Sequence, residues 1–155
     1  MMFHKLPPEV LDILAKYAAS PRLVAHLIIV HDVAVTFTRQ LDAYWPTLEY
    51  DRESVLIGAA IHDVGKAVYT NELTGPGWQH EEIGPRLLLE GGFPEKYARF
   101  ARTHARWDQG PSVQLEDVLV AFADTIWKGK RDEVLEQEIA QQIARRCQEE
   151  SWQVY

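Results

Sequence analysis

A chain of 155 residues with 46% hydrophobic and 25% charged side chains is long enough for one folded core and has the composition of an ordinary soluble globule. Its net charge of −7 argues against a general nucleic-acid-binding surface, and its single cysteine, Cys147, excludes an internal disulfide and a thiolate zinc knuckle, favouring a reducing, cytoplasmic setting. The opening "MMFHKLPPEV" lacks the apolar stretch of a signal peptide, and no uncharged apolar run reaches the ~20 residues that span a bilayer, so no membrane association is expected.

Pro7 and Pro8 suit the start of a first helix, followed by Val10, Leu11, Leu14 and Ala18 at helical spacing; His4 reads as tail. Ser20 as N-cap and Pro21 at the first helical position open a long second helix through "RLVAHLIIVHDVAVTFTRQLDAYW". "RESVLIGAAIHDVGK" is a third helix whose Ser54, Gly58, Ala59 and Ala60 allow close packing, and "DVGK" marks its end. "AVYTNELTGPGWQ" is the main irregular loop, broken by Gly75, Pro76 and Gly77. Helices follow in "HEEIGPRLLLEGG", in "PEKYARFARTHARW" from Pro94, and in "LEDVLVAFADTIWKG". The last, "RDEVLEQEIAQQIARRCQEESW", carries a sparse apolar stripe of Val134, Ile139 and Ile143, which suits packing on the domain or on a partner. No repeat and no convincing strand interrupt this pattern, so the expected fold is all-α, a compact bundle of about seven helices forming one domain over residues 1–155.

The tripeptide HDV occurs twice, at His31-Asp32-Val33 and at His62-Asp63-Val64, and ligand-type residues recur at His80, His104 and Asp124. Asp124 lies in the apolar run "VLVAFADTIW", where an unpaired carboxylate is costly and a partner ion is a natural reason for it. Imidazole and carboxylate donors without thiolates suit Fe, Mn, Zn, Ni or Co, and four histidines with two aspartates, His31, His62, Asp63, His80, His104 and Asp124, exceed what one ion with open positions needs, which makes two ions the economical reading. Lys66, Arg106 and Lys128 follow ligand-type positions by two to four residues and suit neutralisation of phosphate oxygens. Trp78 and Trp107 flank His80 and His104, with packing as their default role, and Glu81 and Glu82 suit the first turn of their helix. His26, five residues before His31 and so on another helical face, reads as structural or as pocket wall.

The order H…HD…H…H…D resembles the HD-domain phosphohydrolase superfamily, over about residues 22–130. His31, with Val35 four residues on, matches the first histidine of that pattern, and His62-Asp63 matches its namesake dipeptide in the form "HDxGK". His80 in "HEEIG" matches the H-x-x-x-G histidine of the two-metal members, His104 their next histidine, and Asp124 the closing aspartate. The resemblance implies an HD-domain fold in which His31, His62, Asp63 and Asp124 hold one divalent ion, Asp63 bridges, and His80 and His104 hold a second. Asp32 is then expected to point away from the ions. The implied activity is metal-dependent hydrolysis of a small phosphate ester or anhydride, a nucleotide above all, with Asp63 and Lys66 in catalytic roles and Lys66, Arg106 and Lys128 contacting substrate. The small all-helical size resembles the YqeK-type hydrolases of diadenosine tetraphosphate, although "HDVGK" departs from their usual alanine before the lysine, and the "GYP" extension of the cyclic-di-GMP phosphodiesterases is absent. The same ligand set surrounds two irons in the HD-type oxygenases, so dioxygen activation stays open, as does a regulatory ligand-binding module without turnover.

Overall fold

Ser20 and Pro21 begin the helix around which the others assemble. In the computed structural model, which describes residues 3–155, the Ser20 hydroxyl accepts the Leu23 N–H at 3.2 Å and caps α2, Pro21–Tyr44. Leu23, Leu27, Val30, His31, Ala34, Val35 and Thr38 recur at helical spacing and form its buried stripe. By length and composition alone α2 qualifies as a membrane-crossing helix, with a mean hydropathy of 1.2 over its most apolar window. In the fold that apolar character serves the core.

Before α2 comes α1, Pro8–Lys16, which buries Val10, Ile13 and Leu14, leaves Leu11 exposed, and ends before Ala18. Asp51 caps α3, Arg52–Ile61, accepting the Ser54 N–H at 3.0 Å and the Ser54 hydroxyl at 2.6 Å. A 3₁₀ turn at Val64–Ala67 and another at Thr70–Leu73 lead to α4, Gln79–Glu90. Two short pieces follow, α5 at Glu95–Ala98 and α6 at Phe100–Thr103, joined through Arg99, whose backbone stays helical. The chain continues through α7, Leu115–Ile126, α8, Glu133–Cys147, and α9, Ser151–Val154. The fold is all-α, with no strand among the described residues. Three of the seven expected helices are each divided: 52–66 into α3 and a 3₁₀ turn, 94–107 into α5 and α6, and the last into α8 and α9.

Small residues decide how closely the central helices approach. Val30 and Ala34 of α2, Ala59 of α3 and Ala123 of α7 form a fully buried seam. A Cβ on Gly58 would stand 2.7 Å from the Phe100 ring and 2.8 Å from Val120, so only glycine lets α3 sit there against α6 and α7. Two larger clusters flank the seam, one of α1, α2 and α3 with Leu88 and Phe93, the other of α7 and α8 with Val55 and Phe100. Asp117 of α7 accepts Arg99 Nε at 3.0 Å and the Thr103 hydroxyl at 2.8 Å, which pins the α5–α6 segment, and with it His104, to α7. The C-terminal segment packs on the domain through Leu135, Ala140 and Ile143. Val134, expected in its apolar stripe, faces solvent at 68% exposure, because Leu135 is the residue in register with Ile143 on the buried face.

The first HDV serves the fold. Asp32 accepts the His4 N–H at 3.0 Å and pairs with His4 Nδ1 at 2.5 Å, tying the segment before α1 to α2; His4 is no free tail. These bonds hold the Asp32 carboxyl below its ordinary value of 3.8. A depressed folded value means that the contribution is present above the unfolded pKa and is lost as pH falls through the folded one. Asp32→Ala is therefore expected to cost about 0.5–1.5 kcal/mol in urea melts near neutral pH, less in acid, with metal content unchanged. Loss of metal in that variant would contradict the structural role.

Candidate metal centre

α3 stops at Ile61 and the chain bends at once. Asp63 takes φ −104° and ψ 15°, outside the helical range. Adjacent side chains on a regular helix diverge by about 100°. The bend removes that divergence and turns His62 and Asp63 toward the same space.

Three histidines present their rings in the same way. His62 Nδ1 lies 2.9 Å from the Ala59 carbonyl, His104 Nδ1 lies 3.0 Å from the Phe100 carbonyl, and His80 Nδ1 lies against the Glu72 carboxylate. Each acceptor requires a proton on Nδ1 and so leaves Nε2 bare, the form in which an imidazole binds a metal. All three Nε2 atoms face the Asp63 carboxylate. Its Oδ1 lies 3.4 Å from His80 Nε2 and 3.4 Å from His104 Nε2. Its Oδ2 lies 3.5 Å from His62 Nε2, 3.0 Å from His26 Nε2 and 2.7 Å from Lys66 Nζ. Asp124 of α7 closes the set, with Oδ1 3.5 Å from His62 Nε2 and 3.7 Å from His26 Nε2.

The structure thus brings together His62, Asp63, His80, His104 and Asp124 of the six residues expected from sequence. It does not bring His31. His26 stands in that place, and this corrects the assignment within α2. The two histidines are five residues apart, which rotates them about 140° and separates them by about 7.5 Å along the axis, so one helix cannot offer both to one site. His31 is buried elsewhere; its Nδ1 has no hydrogen-bond partner, and burial pushes its pKa down. Trp127 supports His26 and Asp124 together: its ring meets His26 edge-on at 4.9 Å, and its Nε1–H donates to Asp124 Oδ1 at 3.2 Å.

A cation fits this cluster on three observations. Asp63 is only 1% exposed, yet its Oδ1 has no hydrogen-bond partner, a costly state for a buried carboxylate. His26 Nε2 and His62 Nε2 face each other at 3.3 Å, close enough for one ion to take both. The donors are imidazole and carboxylate, a set suited to divalent transition metals. His26, His62 and Asp124, and likewise His62, Asp63 and His104, each offer donor atoms within 4.8 Å of one another. Burial alone would raise the Asp63 and Asp124 carboxyls; the positive charge that neighbouring histidines, His62 first among them, carry when protonated outweighs it and holds both well below the usual carboxylate range, which a bound cation would do with the rings neutral. Burial lowers the His80 pKa, against the opposing pull of Asp63 and Glu72.

Two glycines give the motifs their spacing. A Cβ on Gly65 would stand 2.1 Å from the His80 carbonyl oxygen, so the turn after Asp63 can touch the start of α4 only without a side chain. Gly84, one turn beyond His80, lies where a Cβ would meet Ala101 at 2.7 Å. Gly65→Ala is expected to displace His80 from Asp63 at a cost of about 1–3 kcal/mol. Thermal melts and metal titration check this; wild-type values in both would contradict it.

The three expected phosphate contacts divide. Lys66 and Lys128 lie at the site, Lys128 Nζ being 3.2 Å from Asp124 Oδ2. Arg106 does not: its Nε binds Glu81 at 2.8 Å and its Nη1 binds Glu82 at 2.9 Å, because both carboxylates on the first turn of α4 face it. Arg22, missed in the sequence, lines the cavity instead. Its place one turn before His26, on the same face of α2, is the signal that was there to be used. Glu72, also missed, contacts His80 from within the irregular loop and carried no pattern of its own.

A family model described as HD domain matches residues 9–128. The chain belongs to the HD domain family. That membership places it in a superfamily of metal-dependent phosphohydrolases, whose domains typically bind divalent metals. The HD domain is also similar to a tRNA (cytidine(56)-2'-O)-methyltransferase of Thermoplasma volcanium, 26% identical over 141 residues. That alignment covers 82% of this chain but 38% of the methyltransferase, so the likeness concerns a part of that protein. No solved structure matches the chain significantly.

Proposed function

We propose that this HD domain hydrolyses a phosphate ester or anhydride of a small organic molecule, best a nucleotide, at a centre for two divalent ions. His26, His62, Asp63 and Asp124 would hold one ion; His80, His104 and Asp63 would hold the second. The observation that carries this reading is the division of Asp63: Oδ1 faces His80 and His104 while Oδ2 faces His26 and His62. A carboxylate placed between two nitrogen sets would serve an ion on either side. Bound Fe, Mn, Zn, Ni or Co ions supply Lewis acidity, lowering the pKa of water and polarising a phosphoryl oxygen.

The chain's own groups account for the rest. Beside Asp63 opens a cavity of about 320 Å³ rimmed by Arg22, Lys66 and Lys128. Three cations offset phosphate charge and the charge that develops as the phosphoryl group is attacked. Ile29, Leu73 and Trp127 make an apolar wall beside them, a surface that inorganic phosphate has no use for and a nucleoside does. Among the described residues Arg22 makes no ion pair, which leaves its guanidinium free for bidentate contact with phosphate oxygens.

Elemental analysis of anaerobically purified protein tests the reading, followed by phosphate-release assays on a nucleotide panel with that metal restored. Two equivalents of metal and metal-dependent release are expected. Two irons with dioxygen consumption and no phosphate release would instead assign an oxygenase. Neither metal nor turnover would leave a ligand-binding module.

A further inference from the structure

Glu72 is a buried acidic residue whose one basic neighbour among the described residues is a histidine. Its side chain is 1% exposed, and no lysine or arginine pairs with it among the described residues. All its hydrogen bonds go to the first two residues of α4. Oε1 accepts the Gln79 N–H at 3.0 Å; Oε2 accepts the His80 N–H at 3.0 Å and also meets His80 Nδ1. The loop closes over it at Gly77, where a Cβ would stand 2.4 Å from the carboxyl group. Capping α4 explains two of these contacts. It does not explain the third, to the imidazole.

We infer that Glu72 is a positioning residue for the second ion, one that sets the tautomer and aim of His80; this rests on the two-ion reading above. An ionised carboxylate has only acceptors, so His80 Nδ1 must carry the ring proton. Nε2 is then bare and directed at Asp63 Oδ1, 3.4 Å away. His62 and His104 obtain the same tautomer from backbone carbonyls within their own helices, at Ala59 and Phe100. His80 sits at the start of α4, where no preceding turn supplies such a carbonyl. Glu72 supplies the acceptor from outside the helix, and its negative charge makes Nε2 a stronger donor to a cation.

Glu72→Ala removes the acceptor that faces Nδ1, while Glu72→Asp keeps a carboxylate. Loss of the two caps does not by itself select an imidazole tautomer, so the tautomer separates positioning from capping. The first readout is ¹⁵N-imidazole NMR of the metal-free protein: His80 is expected as the Nδ1–H form in wild type and in Glu72→Asp, and as Nε2–H, facing Asp63 Oδ1, in Glu72→Ala. The second is titration of metal-free protein with Mn²⁺. The first equivalent should bind alike in all three proteins, and the second about 10- to 100-fold more weakly in Glu72→Ala. A folded Glu72→Ala with wild-type tautomer and wild-type second affinity would overturn the inference. Should that variant not fold, an Nε2–H tautomer in wild type would overturn it alone. Neither readout needs a substrate, so failure of the hydrolase reading, seen as absent phosphate release, is distinct from failure here.

Discussion

Asp63→Asn is expected to remove metal and turnover together while the helical fold persists. The substitution is nearly isosteric, so the tight space around a residue 1% exposed is not disturbed. What changes is charge. In the proposed centre both carboxylate oxygens serve, one toward His80 and His104, the other toward His26 and His62. A neutral amide supplies one weak oxygen donor and places an NH₂ against nitrogens that should face a cation. Loss of the ions would take with it the charge stabilisation proposed for the centre, so turnover should fall by at least about a hundred- to a thousand-fold. Elemental analysis beside kcat on the best nucleotide measures this; two bound equivalents with wild-type kcat would remove Asp63 from the centre.

The second large effect separates the two histidines of α2. His26→Ala is expected to lose the first ion and to lower turnover on the order of a hundred-fold or more, since it deletes a nitrogen 3.0 Å from Asp63 and 3.7 Å from Asp124. His31→Leu should leave metal stoichiometry and kcat alone. It should also leave the melting temperature unchanged or raise it, because it replaces a buried ring whose Nδ1 lacks a partner by an apolar side chain of similar bulk. The reverse pattern, with metal lost from His31→Leu and kept in His26→Ala, would restore the assignment drawn from the motif alone.

That reversal shows where sequence reading stops. Helix boundaries rest on local chemistry, and Ser20-Pro21 opens α2 as its residue types require. Which face of α2 meets the centre is not local. The segment "LVAHLIIVHDVAV" is apolar nearly all round, so its periodicity does not distinguish the face holding His26 from the face holding His31. The motif match went to the histidine with the familiar neighbours. The packing of α2 on α3 and α7 through Val30, Ala34, Ala59 and Ala123 sets the rotation that aims His26 inward. Arg106 repeats the lesson, since its sequence position is compatible with phosphate contact and only the facing turn of α4 shows it bound to Glu81 and Glu82.

By itself the sequence determined an all-α chain, the ligand-type residues His62, Asp63, His80, His104 and Asp124 that the fold gathers, and the end of the third helix at "DVGK". These follow from residue type, order and turn chemistry. Only the tertiary structure decided that His26 and not His31 faces Asp63, that Arg22 and not Arg106 rims the cavity, and that Glu72 meets His80, eight positions further along the chain. Each of those depends on the rotation of a helix about its axis or on the path of a loop. Both are set by packing between elements distant in the chain, which no local pattern encodes.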